Sequence, residues 1–176
     1  MGDIKKKRKL FSRPKKLFDK TRIDEENIIV KKYGLKNKRE SWKAKTAVSK
    51  YRKMAKTLIG KDITEQQAFF NKLNKMGLNV IDISDVLALT EESLLERRLQ
   101  TFVFKKKLSN TVKMARQLIT HKNVLVDGVV VNVPSFIITK DLENKISIIK
   151  KKAKKKDKKE ENDNEIKVED NKDGEE

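Results

Sequence analysis

The chain has no cysteine and a single histidine, and this shortage excludes several kinds of site. Without cysteine there is no disulfide, no thiolate-bound zinc and no cysteine nucleophile. One histidine cannot supply a metal site that is built from several imidazoles. We therefore expect neither a metal centre nor a cofactor.

Apolar residues are also scarce, since the 176 residues are 36% hydrophobic and 6% aromatic. This length and composition allow one domain or two small ones. The longest apolar stretches, such as residues 129–131, are far shorter than the ~18 residues of a membrane span. Because the basic residues 1–9 lead into no apolar region, we expect that they are not a secretory signal. The composition predicts a cytoplasmic protein with no membrane partner.

Positive charge, in contrast, is abundant and unevenly placed. The chain has 44 Lys and Arg against 26 Asp and Glu, a net charge of +18. Residues 1–61 have a net charge of +16 and residues 97–149 of +7, whereas the more apolar residues 62–96 have −5. Two basic zones that flank an acidic connector are expected of a protein that lies along a phosphate backbone.

Both ends of the chain have a composition that does not support a packed core. Residues 150–176 begin with lysines, turn acidic, contain no aromatic residue and have no net charge. Such a segment buries too little apolar surface to offset its ordering entropy, and we expect it to be disordered. Residues 1–9 form a basic arm, which either aids solubility or neutralises RNA.

Capping signals and hydrophobic spacing predict helices through the N-terminal half. The acids at residues 24–26 suit a first helical turn, and Gly34 suits the position just after a helix. Asn37 and Glu40 match a capping box that opens an amphipathic helix, which ends at Gly60. Few acids alternate with the bases on the polar face of this helix, so i, i+4 pairing does not explain it. The face is either plain solvated surface or a contact with RNA or DNA.

Further helices follow in the connector and in the C-terminal half. Thr64 begins a second capping-box pattern, and Thr90 begins a helix that has Arg97 and Arg98 in its middle. Ser109 suits the N-cap of the next helix, which ends at His121 and Lys122.

A small sheet is predicted after these helices. Asp127 and Gly128 lie between valine-rich runs, which is a strong signal for a β-hairpin. Residues 136–138 and 146–148 read as two further short strands. The fold class is therefore α+β.

These residues resemble a known family. Residues 95–101 (LERRLQT), 115–122 (ARQLITHK) and 126–135 (VDGVVVNVPS) resemble the RNA-binding module of the small-subunit ribosomal protein S4 family. Residues 33–42 (YGLKNKRESW) and 19–24 (DKTRID) are similar to the N-terminal signature of its archaeal and eukaryotic branch. The resemblance covers roughly residues 10–149. The cysteine zinc cluster of some bacterial relatives is excluded here.

The resemblance implies an architecture and a function. The architecture is a helical N-terminal domain with its basic arm (1–95), an S4-type module of two helices on a small antiparallel sheet (96–149), and the tail (150–176). The implied function is structural: binding of the 5′ domain of small-subunit ribosomal RNA early in assembly, with effects on translational accuracy. The implied partners are this RNA, neighbouring subunit proteins such as the S5 family, and messenger RNA at its entrance.

The resemblance also implies which residues contact RNA. On the two-helix face of the module these are Arg97, Arg98, Ser109, Lys113, Arg116, Gln117, His121 and Lys122. One further residue lies in the basic turn between the two helices, Lys106. The others lie in the N-terminal half: Arg13, Arg22, Lys38, Arg39, Lys43 and Arg52. RNA helices are recognised by shape, 2′-hydroxyls and phosphates, for which arginine forks, lysine charges and short polar donors are suited.

Several of these residues have a second interpretation. Ser109 and His121 could serve only as helix caps. One arginine of the pair Arg97 and Arg98 could be structural, paired with Glu96 or with the acidic connector.

At the level of the whole chain, the same module occurs in RNA-modifying enzymes and in separate ribosome-associated factors. Residues 1–93 are too short and too basic for a catalytic domain, and the sequence has no phosphate-binding loop or nucleophile triad. We therefore expect no catalytic residue and no small-molecule substrate.

Overall fold

The computed structural model describes residues 10–149, and the predicted basic arm (1–9) and tail (150–176) lie outside them. The described chain is mostly helical with one small sheet, so the predicted α+β class is confirmed. The helices are α1 (Lys20–Lys32), α2 (Lys38–Leu58), α3 (Ile63–Lys75), α4 (Ile83–Ala88), α5 (Glu91–Glu96), α6 (Leu99–Lys105) and α7 (Val112–Thr120). The strands are β1 (Val124–Val126), β2 (Val129–Val130) and β3 (Ile146–Ile148), with a 3₁₀ helix (Lys140–Lys145) before β3.

Helix α1 begins earlier than its acidic residues suggest. Asp19 is the N-cap, so residues 24–26 lie in the middle of the helix and not in its first turn. The predicted role of these acids was wrong, since Glu26 is buried and accepts hydrogen bonds from the side chains of Arg22 and Trp42. The predicted end is confirmed, with Gly34 directly after the capping residue Tyr33.

Helices α2 and α3 begin near the predicted residues, but without the predicted capping boxes. Asn37 is the N-cap of α2, yet its side chain makes no capping hydrogen bond. Glu40, the second residue of that box, binds two arginines of the C-terminal half. Helix α3 begins behind Asp62, two residues before the predicted cap at Thr64. In α2 a charged tertiary partner is available to Glu40, and it takes the place of the local backbone contact.

The helix predicted to run on from Thr90 is divided in two. Helix α5 begins directly after Thr90, as predicted, but Arg97 and Arg98 lie between α5 and α6 and not within one helix. The Ile138 amide donates to the Arg97 carbonyl (2.9 Å), and the Leu99 amide donates to the Phe136 carbonyl (2.7 Å). These bonds to a neighbouring segment replace those that would continue the helix. The strand predicted at residues 136–138 is reduced to a single bridge with Arg98.

The cap of α7 is Thr111 and not Ser109. The Thr111 hydroxyl accepts a hydrogen bond from the Met114 amide (3.1 Å), as an N-cap does. Ser109 is buried and its hydroxyl donates to the Thr111 carbonyl (3.3 Å), so it supports the turn that precedes the helix. The predicted end at His121 is confirmed.

The sheet has the order β2-β1-β3, and both pairs are antiparallel. Leu125 of β1 is opposite Val130 on one side and Ser147 on the other. The predicted hairpin turn is confirmed, because Asp127 and Gly128 have φ values of +51° and +78°, and two-residue turns of type I′ need positive φ at both positions.

Three buried clusters organise the described chain. One joins α2, α3 and α4 around Val48, Leu73 and Val86, and a second joins α6, α7 and the sheet around Leu99 and Ile119. A third, smaller cluster lies between them and consists of Tyr33, Leu35, Ala44 and Leu95. The predicted domain boundary at residues 95–96 lies next to this junction and stays a prediction. No helix within residues 10–149 is both long and apolar enough to cross a bilayer.

Candidate nucleic-acid interface

The side chain of Glu40 connects the two halves of the chain. It lies in the first turn of α2 and faces Arg98, between α5 and α6, and Arg116 of α7. Arg98 Nη2 is 2.7 Å from Glu40 Oε2, while Arg116 contacts both carboxylate oxygens, at 2.8 and 3.2 Å. Burial by itself raises the pKa of the Glu40 carboxyl, but hydrogen bonds from Arg116 and Arg98 outweigh it and leave the pKa below its ordinary value.

Gln100 reinforces this connection. Its side chain is fully buried, and Nε2 lies within 3.2 Å of the carbonyls of Tyr33, Gly34 and Val112. Its Oε1 accepts a hydrogen bond from Arg116 (3.4 Å). One amide thus links the end of α1, helix α6 and the start of α7, so the basic helices of both halves are held in one arrangement.

Arg97 holds the 3₁₀ helix against the module. Its guanidinium is 2.6 Å from Glu143, donates to the Ile138 carbonyl at 2.9 Å, and lies 4.7 Å from the centre of the Phe102 ring. The Lys106 ammonium donates to the carbonyl of Glu143. Both cations therefore have partners within the protein.

A third group of charges joins α1 to α2. Glu26 accepts hydrogen bonds from Arg22 (2.7 Å) and from the Trp42 indole (2.9 Å), with Lys38 3.7 Å away. Burial raises the pKa of the Glu26 carboxyl, but these donors lower it further, so the net pKa is below its ordinary value. On the other side of α2, Arg52 donates to the Leu89 carbonyl at 2.6 Å.

The predicted interface residues therefore divide into two sets. Seven have hydrogen-bond or ion-pair partners within the protein: Arg22, Lys38, Arg52, Arg97, Arg98, Lys106 and Arg116. Both members of the pair Arg97 and Arg98 are engaged, with Glu143 and Glu40, and neither is paired with Glu96 or with the connector. Ser109 is buried. RNA contact by any of these residues stays a prediction.

The second set is exposed: Arg13, Arg39, Lys43, Lys113, Gln117, His121 and Lys122. None of its cations has an ion-pair partner within residues 10–149. On α7, Lys113 and Gln117 are four residues apart, and His121 follows at the same interval just after the helix, so the three share one face. Arg39 and Lys43 have the same spacing on α2. Lys43 also lines a cavity of about 490 Å³ between α2 and the module, together with Arg98 and Arg116.

Sequence reasoning missed the two residues that organise this interface. Glu40 was interpreted as a cap, and Gln100 was not singled out. The only signal for Gln100 was its polar side chain directly beside the apolar Leu99 in a helix with little polar surface. The part of the chain that the structure describes contains no group of three or more metal-ligating side chains.

Comparison with known proteins agrees with this architecture. The family model of the S4 domain matches residues 97–144, which contain α6, α7, β1, β2 and most of the 3₁₀ helix that leads to β3. Two helices against a three-stranded antiparallel sheet, with basic side chains along α7, thus define the C-terminal half as an S4 domain.

Relatives extend the likeness to most of the chain. It is 43% identical over 156 residues to small ribosomal subunit protein uS4 of Picrophilus torridus, covering 84% of this chain and 85% of the relative. It is 45% identical over 153 residues to the uS4 protein of Saccharolobus solfataricus, covering 83% and 84%. The chain therefore belongs to the uS4 family of small ribosomal subunit proteins, and the resemblance predicted from the sequence is confirmed.

Proposed function

We propose that the chain is a structural constituent of the small ribosomal subunit and binds the 5′ domain of its ribosomal RNA early in assembly. The relatives named as small ribosomal subunit proteins support the ribosomal role. The observation that carries RNA binding is the division of the basic residues. Arg98 and Arg116, the inner arginines, bind the carboxylate of Glu40. The exposed cations of α2 and α7 have no such partner within residues 10–149.

The exposed face of α7 has the chemistry that an RNA backbone requires. Lys113 supplies a point charge, Gln117 supplies an amide that both donates and accepts hydrogen bonds, and Lys122 adds a second charge just after the helix. Because an A-form helix presents phosphates and 2′-hydroxyls at its surface, such a face binds by shape and charge with little base reading. Like charges on one face repel, and RNA phosphates relieve that repulsion.

The inner arginines act in this proposal by positioning. Arg98 and Arg116 fix α7 relative to α2 through Glu40, so the exposed cations of both helices are presented together. Holding a binding surface in its bound arrangement reduces the entropy lost on binding. This proposed function requires no catalytic residue, which agrees with the names of the relatives as ribosomal proteins.

The acidic connector is suited to a different partner. Ile63 and Ile81 are exposed by 71% and 80%, beside Asp62 and Asp82. Exposed apolar and acidic side chains repel RNA phosphates but suit a basic protein, so we propose that neighbouring subunit proteins, notably of the S5 family, contact the connector. We further propose that the chain is located on cytoplasmic ribosomes, where it affects translational accuracy and contacts messenger RNA at the entrance of the small subunit.

RNA binding is tested with the purified full chain and transcribed fragments of small-subunit ribosomal RNA. We expect the chain to bind the 5′ domain more tightly than the 3′ domain. The logarithm of the binding constant should fall linearly with the logarithm of the salt concentration, with a slope of roughly 0.7–0.9 for each phosphate that the protein neutralises. Lys113→Gln should reduce that slope by about one phosphate. The matched control is Lys75→Gln, an exposed lysine of α3 in the acidic zone. Equal binding to both domains, or equal losses in both variants, would contradict the proposal.

A second measurement separates a subunit component from an occasional factor. Small subunits isolated on sucrose gradients should contain the chain at close to one copy per subunit. A much lower and stress-dependent ratio would indicate a ribosome-associated factor that carries the same domain.

A further inference from the structure

A basic cavity of about 570 Å³ lies between the irregular segment 10–19 and helices α1 and α2. Its lining includes Arg13, Lys15 and Lys16 from the segment and Lys45 from α2. All four side chains are exposed, and none is in an ion pair with any residue between 10 and 149. Four cations around one concave surface produce a strongly positive potential there.

The remaining charges of the cavity do not cancel this potential. Arg22 and Glu26 also line the cavity, and they neutralise each other through an ion pair of 2.7 Å. The Asp19 carboxylate is the one further acid in the lining, and it accepts a hydrogen bond from the Thr21 hydroxyl at 2.8 Å. The net charge of the lining therefore remains positive, which favours an anionic ligand.

The segment that carries the cations is attached to the helices. The Ser12 amide donates to the Thr46 hydroxyl of α2 at 3.1 Å. Arg22 Nη2 donates to the carbonyls of Lys16 and Leu17, at 3.1 and 3.0 Å. The cavity wall is thus held in place by hydrogen bonds from two helices.

Phe18 belongs to the same segment as the cavity's cations, lies in sequence between the lining residues Lys16 and Asp19, and is 94% exposed. The carbonyl of the preceding residue is bound by Arg22, so the aromatic ring is displayed from a fixed backbone. Proteins that bind single-stranded nucleic acid combine exposed aromatic rings, on which unpaired bases stack, with cations that contact the phosphates, and segment 10–19 has both.

We propose that this cavity binds an unpaired nucleotide of RNA, whose phosphate lies among Lys15, Lys16 and Lys45 and whose base stacks on Phe18. The inference rests on the proposed RNA-binding function and adds a site in the N-terminal half that recognises single-stranded RNA. An apolar protein partner would also cover Phe18 and the 64% exposed Leu17. Charged residues are depleted at the centres of protein interfaces, so the surrounding lysines favour RNA.

The test compares Phe18→Ala, Phe18→Trp and Leu17→Ala in the full chain, binding to small-subunit ribosomal RNA at fixed salt. Phe18→Ala should weaken binding roughly tenfold, the scale of one lost base stack, and Phe18→Trp should retain it. Leu17→Ala, which removes apolar area but no aromatic face, should stay within about twofold. Since Phe18 is exposed, thermal unfolding of all three variants should match that of the parent.

Chemical probing of the RNA supplies a readout that a structural role would not change. Base-specific modification should show one unpaired nucleotide protected by the parent protein and released in the Phe18→Ala complex. Lys45→Gln should reduce the salt slope by about one phosphate without releasing that base.

The possible outcomes separate this inference from the proposed function. If the parent binds the RNA and Phe18→Ala gives the same affinity and protections, the nucleotide site is overturned and the function stands. If the parent binds small-subunit RNA no better than unrelated RNA of equal length, both are overturned. If Phe18→Ala and Leu17→Ala bind RNA normally but reduce incorporation beside other subunit proteins, the patch is a protein contact and the inference is wrong.

Discussion

Glu40 of α2 and Arg116 of α7 are 76 positions apart in the chain and are joined by two hydrogen bonds, of 2.8 and 3.2 Å. Arg98 binds the same carboxylate, so one acid holds two guanidinium groups. The side chain of Glu40 is 16% exposed and that of Arg98 is 8% exposed, so water screens these contacts little. This group of charges is where the helical N-terminal half and the S4 domain depend on each other.

Replacing Glu40 by glutamine should destabilise the protein. The substitution leaves two arginine charges in a mostly buried place without their acid, for which we expect a loss of about 2–4 kcal/mol in the free energy of unfolding. Urea titration of the full chain measures it. Glu25→Gln on the exposed face of α1 is the control, with an expected change within about 0.5 kcal/mol. Equal effects of the two substitutions would show that the Glu40 contacts add no stability.

Replacing Arg116 by alanine should weaken RNA binding by about 1–3 kcal/mol, the scale of a lost charge-assisted contact. If Arg116 acts by positioning α7, its effect depends on Glu40. Arg116→Ala in a Glu40→Gln background should then reduce RNA affinity by clearly less than in the parent, as a double-mutant cycle would report. Additive losses would indicate that Arg116 contacts the RNA directly, and an unchanged dissociation constant would remove it from the interface.

The depressed pKa values of Glu40 and Glu26 predict acid sensitivity. A carboxyl whose pKa is lower in the folded chain contributes its full stabilisation above its ordinary pKa. That stabilisation is lost as pH falls below about 4.5 towards the folded-state value. The free energy of unfolding should therefore be flat near neutral pH and fall in this acidic window. Glu40→Gln should make the fall shallower, and a profile identical to that of the parent would contradict the assignment.

Two glycines with similar backbone angles should respond differently to substitution. Gly77 and Gly128 have φ values of +80° and +78°, which strain any other residue. A Cβ at Gly77 would lie 2.2 Å from Arg97 Cζ, whereas one at Gly128 meets no described atom within 4 Å. Because Glu143 and the Ile138 carbonyl hold that guanidinium, it cannot move away freely.

Gly128→Ala should therefore cost about 1 kcal/mol from backbone strain alone, and Gly77→Ala about 2–3 kcal/mol. Thermal or urea unfolding of the two variants side by side measures the difference. Equal losses would mean that Arg97 rearranges without a penalty.

Local signals in the sequence were sufficient where the backbone itself decides the structure. Gly34 follows the end of α1, Thr90 precedes the start of α5, and the Asp127–Gly128 pair forms the hairpin turn, because each position is set by φ and ψ preferences of a few adjacent residues. The basic character of the helix faces could be predicted from spacing and residue type, whereas the S4-type module was recognised by its resemblance to a known family.

Only the tertiary structure determined which partner each polar group binds. Glu40 has a backbone amide within reach in sequence, yet it binds Arg98 and Arg116, which the fold brings to it. The helix after Thr90 breaks at Arg97 because residues 136–138 offer hydrogen bonds from outside it. Residue type shows which side chains are basic, and hydrophobic periodicity along the chain indicates which side chains are buried. A partner distant in sequence determines whether a given arginine is left free for RNA, because a hydrogen bond depends on separation in space.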